Sequence, residues 1–371
     1  MSGHTGIVWD EDFLKYDFGP SHPLRPIRVK LTYDLLRTIG ILENDSVKII
    51  PAREASEDEI RSFHEDSYVK LVQHHSKTGS GYLDMGDTPA FKGCYEVSSL
   101  IVGASMVAAE QVMNETVSHS FNPAGGLHHA HPERASGFCI FNDPAVAIAY
   151  LKSKFHLKRI VYLDIDAHHG DGVMYGYYSD PGVLDIDFHE SGRYLFPGTG
   201  FPDETGTGEG EGFKINIPLP PSTGDEIFLE AFDQLVPRLV RDYKPEIILV
   251  QCGADGHEQD LLAHLRLTSA TYQKVIREMH TLAHELCSGR MLLYGGGGYT
   301  LANVPRVWTV AFASLADIPV ENYLPTAWQK NFVENTGELS PKTLLDKPSI
   351  DSEQNKQVLQ ETITEIRSAL K

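Results

Sequence analysis

Ile160-Val161-Tyr162-Leu163-Asp164-Ile165-Asp166-Ala167-His168-His169-Gly170-Asp171-Gly172 is the stretch that decides the fold. Its apolar opening reads as a strand and its end is crowded with ionisable groups. In an extended backbone successive side chains alternate, so Asp164, Asp166 and His168 point the same way. Three such groups packed together repel or desolvate one another unless a cation neutralises them, and a divalent metal is the economical explanation. Taken singly, each aspartate would read as a strand-end turn residue and His168 as a satisfied core histidine. The clustering is what favours a metal.

Seven further apolar runs resemble that opening: Gly6–Trp9, Val47–Ile50, Ser118–Phe121, Val183–Phe188, Lys214–Ile217, Ile247–Val250 and Arg290–Leu293. Several are nearly continuous Val, Ile and Leu, as a parallel sheet covered on both faces requires. Between them fall helix candidates at Arg25–Ile39, Tyr95–Met113, Pro144–Phe155, Asp225–Tyr243 and Ser269–Cys287, with a further one at Asp351–Leu370. The pattern predicts an α/β fold with a central, mostly parallel eight-stranded sheet flanked by helices. Such folds place ligands beyond the C-terminal ends of the strands, so the loops after the apolar runs are where chemistry belongs. No linker divides the 371 residues; one domain is expected, with its core over about 7–325 and a C-terminal helical extension over about 326–371.

Fifty-one Asp and Glu against 32 Lys and Arg give a formal charge of −19, which would repel a phosphate backbone and argues against direct nucleic-acid binding. Cys94, Cys139, Cys252 and Cys287 lack Cys-x-x-Cys spacing, so neither a zinc knuckle nor a disulfide framework is expected. With no apolar leader in the first residues and no run of membrane-spanning length, a cytoplasmic protein with no membrane partner is expected.

Three other clusters follow apolar runs. Gln251-Cys252-Gly253-Ala254-Asp255-Gly256 delivers Asp255 where a parallel strand would bring it to the site; with Asp166 and His168 it makes a three-ligand set that leaves positions open, as catalytic zinc needs. The oxygen-rich set also accepts iron(II). Gly125-Gly126-Leu127-His128-His129-Ala130 puts adjacent imidazoles on a loop, where they could hold a water and move its proton, with Asp164 and Asp171 available to orient them. Tyr294-Gly295-Gly296-Gly297-Gly298-Tyr299-Thr300 is a loop whose backbone must pass close to something, and Tyr299 could donate to a developing oxyanion. Two patterns are set aside. Gly206 to Gly212 carries glutamates and no Lys, unlike a phosphate loop, and His280 with His284 has the spacing of a metal pair but no Glu after His280, so both read as structural.

Together with His22-Pro23-Leu24-Arg25-Pro26, Ala135-Ser136-Gly137-Phe138-Cys139 and Phe196-Pro197-Gly198-Thr199-Gly200, these motifs resemble the histone deacetylase superfamily from about Ile7 to about Ala313, most closely its acetoin-utilisation branch. The resemblance implies a three-layer arginase/deacetylase fold and zinc-dependent hydrolysis of acetyl-lysine-type amides in a protein or peptide, sensitive to hydroxamates, with acetylpolyamines or other small acyl amides as the alternative. It implies zinc on Asp166, His168 and Asp255; tandem histidines His128 and His129, oriented by Asp164 and Asp171; and Tyr299 as the transition-state tyrosine. Phe138 and Phe196 correspond to tunnel aromatics and Asp87 to a rim aspartate. Gly137, Gly297 and Leu262 match substrate-contacting positions, and Arg28 matches an inner-channel arginine. Structural potassium is implied beside the zinc, using Asp164, Asp166 and backbone near His168, Asp187 and Phe188; Asp187 departs from the serine usual in eukaryotic relatives. A dinuclear ureohydrolase on the same fold would leave the histidine pair and Tyr299 without a role, and a non-catalytic acyl-lysine reader would not need the full set of catalytic residues.

Overall fold

The computed structural model describes residues 4–84 and 86–369. Eight strands, β1 (Thr5–Trp9), β2 (Val47–Pro51), β3 (His119–Asn122), β4 (Ile160–Asp164), β5 (Val183–Glu190), β6 (Lys214–Leu219), β7 (Ile247–Gln251) and β8 (Met291–Tyr294), form one sheet in the order β2-β1-β3-β8-β7-β4-β5-β6. Every pairing between them is parallel, so the expected mostly parallel sheet is wholly so. Each of the eight apolar runs became a strand. Most strands extend one or two residues past their run because the ladder continues into polar side chains.

That extension builds the floor of the site. In register, Asn122 lies beside Tyr294, Tyr294 beside Gln251, Gln251 beside Asp164, Asp164 beside Asp187 and Asp187 beside Asn216. One row of polar residues thus crosses six strands toward the C-terminal edge of the sheet.

The helices are α1 (Ile27–Thr38), α2 (Glu57–Ile60), α3 (Asp66–Thr78), α4 (Cys94–Met113), α5 (Asp143–Lys154), α6 (Asp171–Gly176), α7 (Asp225–Tyr243), α8 (Ser269–Leu286), α9 (Val304–Leu315), α10 (Thr326–Thr336) and α11 (Glu353–Ala369). The five interior helix candidates appear as α1, α4, α5, α7 and α8, and the terminal one as α11. The reading by apolar periodicity leaves out α9, whose polar residues Arg306 and Thr309 are buried with the rest of the helix. α2 and α6 are too short to carry a period.

The main core runs through the sheet and its covering helices. A smaller cluster seats the C-terminal extension: Trp328 and Phe332 of α10 pack with Leu31 and Leu35 of α1, and the Trp328 indole donates to the Leu31 carbonyl at 3.0 Å. α11 lies against β6 and α7. The four cysteines are buried and free, and among the described residues no helix is long and apolar enough to cross a membrane.

Candidate active site

β4 ends at Asp164, and the next residues turn the chain across the polar row. Asp164 Oδ1 accepts the Asp166 amide at 3.0 Å, and Asp166 Oδ1 accepts the His168 amide at 3.0 Å. These bonds hold alternate side chains on one side, as the extended reading required. From β7, Asp255 approaches so that His168 Nδ1 lies 2.9 Å from its Oδ2 and 3.2 Å from Asp166 Oδ1. One ligand atom from each of Asp166, His168 and Asp255 falls within 4.8 Å of the others, and all three residues are buried.

The surroundings fit a cation. Burial and the neighbouring charge of Asp166 push the Asp255 carboxyl up to about 7. Burial opposes ionisation of Asp166 as well, but His128 and His168 hold it well below the carboxylate range. Two carboxylates under such mutual strain are relieved by a positive ion. Backbone amides fix the remaining lone pairs, Gly297 N–H donating to Asp166 Oδ2 at 2.8 Å and Ala167 N–H to Asp255 Oδ1 at 2.8 Å. A Cβ on Gly297 would lie 2.0 Å from Asp255 Oδ2, and one on Gly253 would lie 1.9 Å from Asp166 Oδ2. Glycine in both loops is therefore a requirement of close approach to the carboxylates.

The tandem histidines stand beside this trio. His128 Nδ1 pairs with Asp164 Oδ2 at 2.8 Å, and His129 Nδ1 with Asp171 Oδ1 at 2.7 Å. Their environments pull them apart. Burial lowers the affinity of His128 for a proton, but Asp164 and Asp166 overcome it and carry the ring up to about 10. Burial and the charge on His128 instead push His129 down to about 4 against the pull of Asp171. One imidazole is held charged and the other neutral.

Tyr299 lines the same small cavity as His128, His129, Asp166 and Gly297. Its ring lies 6.4 Å from that of His168, and burial with Asp255 and Asp166 nearby keeps its phenol protonated. Phe138 meets Tyr299 edge to face at 5.8 Å, and Phe196, exposed at the mouth, meets His129 at 5.1 Å. Gly137 has φ +53°, and a Cβ there would strike His129 at 2.4 Å and Phe196 at 3.0 Å, so glycine keeps the slot between the aromatics open. Asp87 is exposed on the loop 84–88 and shares an outer groove with Phe196. Arg28 is buried inside, its guanidinium donating to the Gly298 carbonyl at 3.0 Å and lying 5.2 Å from the Trp308 ring. Leu262 is half-buried on the loop after β7, and its amide donates to Asp260. Asp187 spends its carboxylate on His189 at 2.6 Å and the Gly170 amide at 2.7 Å.

Several positioning groups escaped the sequence reading. Asp260 accepts the amides of both Tyr299 and Leu262, at 2.7 and 3.0 Å, joining two loops. His131 shares Asp171 with His129, its Nε2 3.0 Å from Oδ2. Asn142 donates to the carbonyls of His128 and Ala130, and Asp143 accepts the amides of Gly126 and Leu127, pinning the histidine loop to the start of α5. Phe138 has φ +68° and is held there by Tyr16, which donates to its carbonyl, and by Thr88, which accepts its amide. The Asn-Asp-Pro opening of α5 was a usable capping signal; Asp260, Tyr16 and Thr88 act on backbone atoms of distant loops and leave none.

A parallel sheet bearing this buried trio, histidine pair and tyrosine belongs to the histone deacetylase family, whose domain matches residues 22–315, and the chain is a deacetylase-type hydrolase. Within that family it is similar to the acetoin utilization protein AcuC of Bacillus subtilis (strain 168), at 39% identity covering 98% of this chain and 97% of that one. The AcuC proteins of Staphylococcus aureus (strain MSSA476) and Staphylococcus xylosus are 36% and 37% identical, covering 93% and 88% of this chain and 90% and 87% of theirs.

Proposed function

We propose that the chain hydrolyses acetyl-lysine-type amides in a protein or peptide, using a zinc ion, or iron(II) in its place, held by Asp166, His168 and Asp255. The observation that carries this reading is the pair His128 and His129, each held by its own carboxylate, beside a buried trio of ligand residues. Bound there, a divalent ion supplies a Lewis acid that polarises the acyl carbonyl and acidifies water.

The protein's own groups account for the rest. His129 is neutral, and with Nδ1 engaged by Asp171 its Nε2 is free to accept the proton of the attacking water and return it to the leaving amine. His128 stays charged on Asp164 and supports the developing negative charge electrostatically. Tyr299 donates its phenolic hydrogen to the oxyanion. Phe138 and Phe196 flank the aliphatic stem of the lysine with Gly137 and Gly297 leaving it room; Leu262 and Asp87 contact substrate nearer the rim, and Arg28 faces the departing acetate. Asp164 and Asp166, with backbone near His168, Asp187 and Phe188, would hold a structural potassium ion. Residues from about 7 to about 325 form the catalytic body of a single domain, and the extension that begins at about 326 braces it through α10 and α11.

The test is fluorophore release from an acetyl-lysine aminocoumarin peptide by zinc-loaded protein, with and without a hydroxamate. Hydroxamate-sensitive release is expected. No release from either zinc- or iron(II)-loaded protein would overturn the substrate assignment.

A further inference from the structure

At the opposite edge of the sheet from the site above, His119 opens β3, and α8 presents His280 and His284 to it. The Nε2 atoms of the three rings lie 3.0 Å (His119–His280), 3.2 Å (His119–His284) and 3.1 Å (His280–His284) apart. From this closure we propose a second metal centre, in which His119, His280 and His284 bind a divalent first-row transition ion of the zinc class.

Hydrogen bonding cannot explain the arrangement. A neutral imidazole nitrogen is either a donor or an acceptor. In a closed triangle of three nitrogens at least one pair must therefore be donor facing donor or acceptor facing acceptor, at a separation where that contact is repulsive. Protonating the rings only adds like charge. Three lone pairs converging on one cation satisfy all three contacts, and zinc–nitrogen bonds of about 2.0–2.1 Å at tetrahedral angles place ligand nitrogens about 3.3 Å apart.

The rest of the site is built for this. His119 is buried, and the polar contacts of its Nε2 are the rings of His280 and His284. A Cβ on Gly289 would stand 2.8 Å from the His284 ring, so glycine at that turn makes room for the imidazole. The histidines line a surface cleft of about 530 Å³ with Asn44, Ser46 and Asp317, which leaves space for a water or an oxygen ligand at the fourth position. All-nitrogen ligation favours zinc, nickel or copper over magnesium or calcium. The spacing of His280 and His284 is legible in the sequence, but the third ligand lies about 160 residues away and only the fold delivers it.

Zinc alone is the probe. Metal-free full-length protein is titrated with zinc and the bound ion counted after gel filtration, for the wild type, His280→Ala/His284→Ala and Asp166→Ala/Asp255→Ala. Two zinc ions per chain are expected for the wild type and one for each double variant, with the cobalt-substituted spectrum of the Asp166→Ala/Asp255→Ala variant reporting nitrogen ligation. His284→Gln, at an exposed position, stands in if the histidine double variant does not fold, with circular dichroism as the check. Equal zinc content in the wild type and folded histidine variants overturns the proposal. A wild type that binds one ion, lost on changing the histidines, upholds it and sinks the Asp166 centre instead.

Discussion

At the scale of single residues, the proposed chemistry depends on which groups keep their protons. Burial, with Asp255 and Asp166 nearby, opposes ionisation of the Tyr299 phenol, so it keeps the proton that a hydrogen-bond donor needs. Tyr299→Phe should lower kcat by about a hundredfold or more with little change in KM, as removal of an oxyanion donor does; steady-state kinetics at equal metal content check this, and unchanged kcat refutes the role. Asp171 presents one oxygen to His129 and the other to His131. An asparagine can accept from only one of them, so Asp171→Asn should cost about 10- to 100-fold in kcat, while His131→Ala should cost less because Asp171 still holds His129. The groups that do chemistry were legible in the sequence because unusual side chains clustered after apolar runs. Asp260 was not, because an ordinary polar residue that holds backbone amides looks the same in any loop, and Asn142 left only the capping pattern at the start of α5.

At the scale of elements, parallel pairing does most of the work of assembly. Because β8, β7 and β4 end in one row beside Asp187 of β5, residues distant in sequence arrive at a common edge, and loops carry them over it. Apolar runs predict such strands well, since burial on both faces selects Val, Ile and Leu. They say less about α9, where every residue is buried, the polar Arg306 and Thr309 included. The loop after β8 has the least tolerance, because Gly297 is in contact with both aspartates of the trio. Gly297→Ala should therefore lose bound zinc, measured as metal per chain, while the far-ultraviolet circular dichroism stays that of the wild type. Full metal retention would show that the loop can move aside.

At the scale of the whole molecule, the C-terminal extension is tied to the loop that carries Asp255. Asp346 accepts from Arg306 of α9, and its Oδ2 lies 3.0 Å from Nε2 of the buried His257, two residues beyond Asp255. Its backbone amide also donates to Ser269 at the start of α8. Burial disfavours the Asp346 carboxylate, but His257 and Arg306 outweigh it and hold the group well below the usual range. The sign follows: a carboxyl depressed in the folded state contributes stability that is fully present above its unfolded value, about 3.9, and is lost as pH falls through the folded value. Asp346→Asn should thus unfold more easily at pH 7, by about 2–3 kcal/mol, since breaking a buried pair costs about 3–5 and Asp346 is partly open to solvent. Urea unfolding at pH 7 and at pH 3 checks it: the gap between wild type and variant should narrow at the lower pH. A gap independent of pH would assign the loss to packing rather than to the ion pair. Because His257 sits on the loop that carries Asp255, the variant should also bind zinc at the Asp166 centre more weakly at pH 7, so that stability and metal affinity fall together.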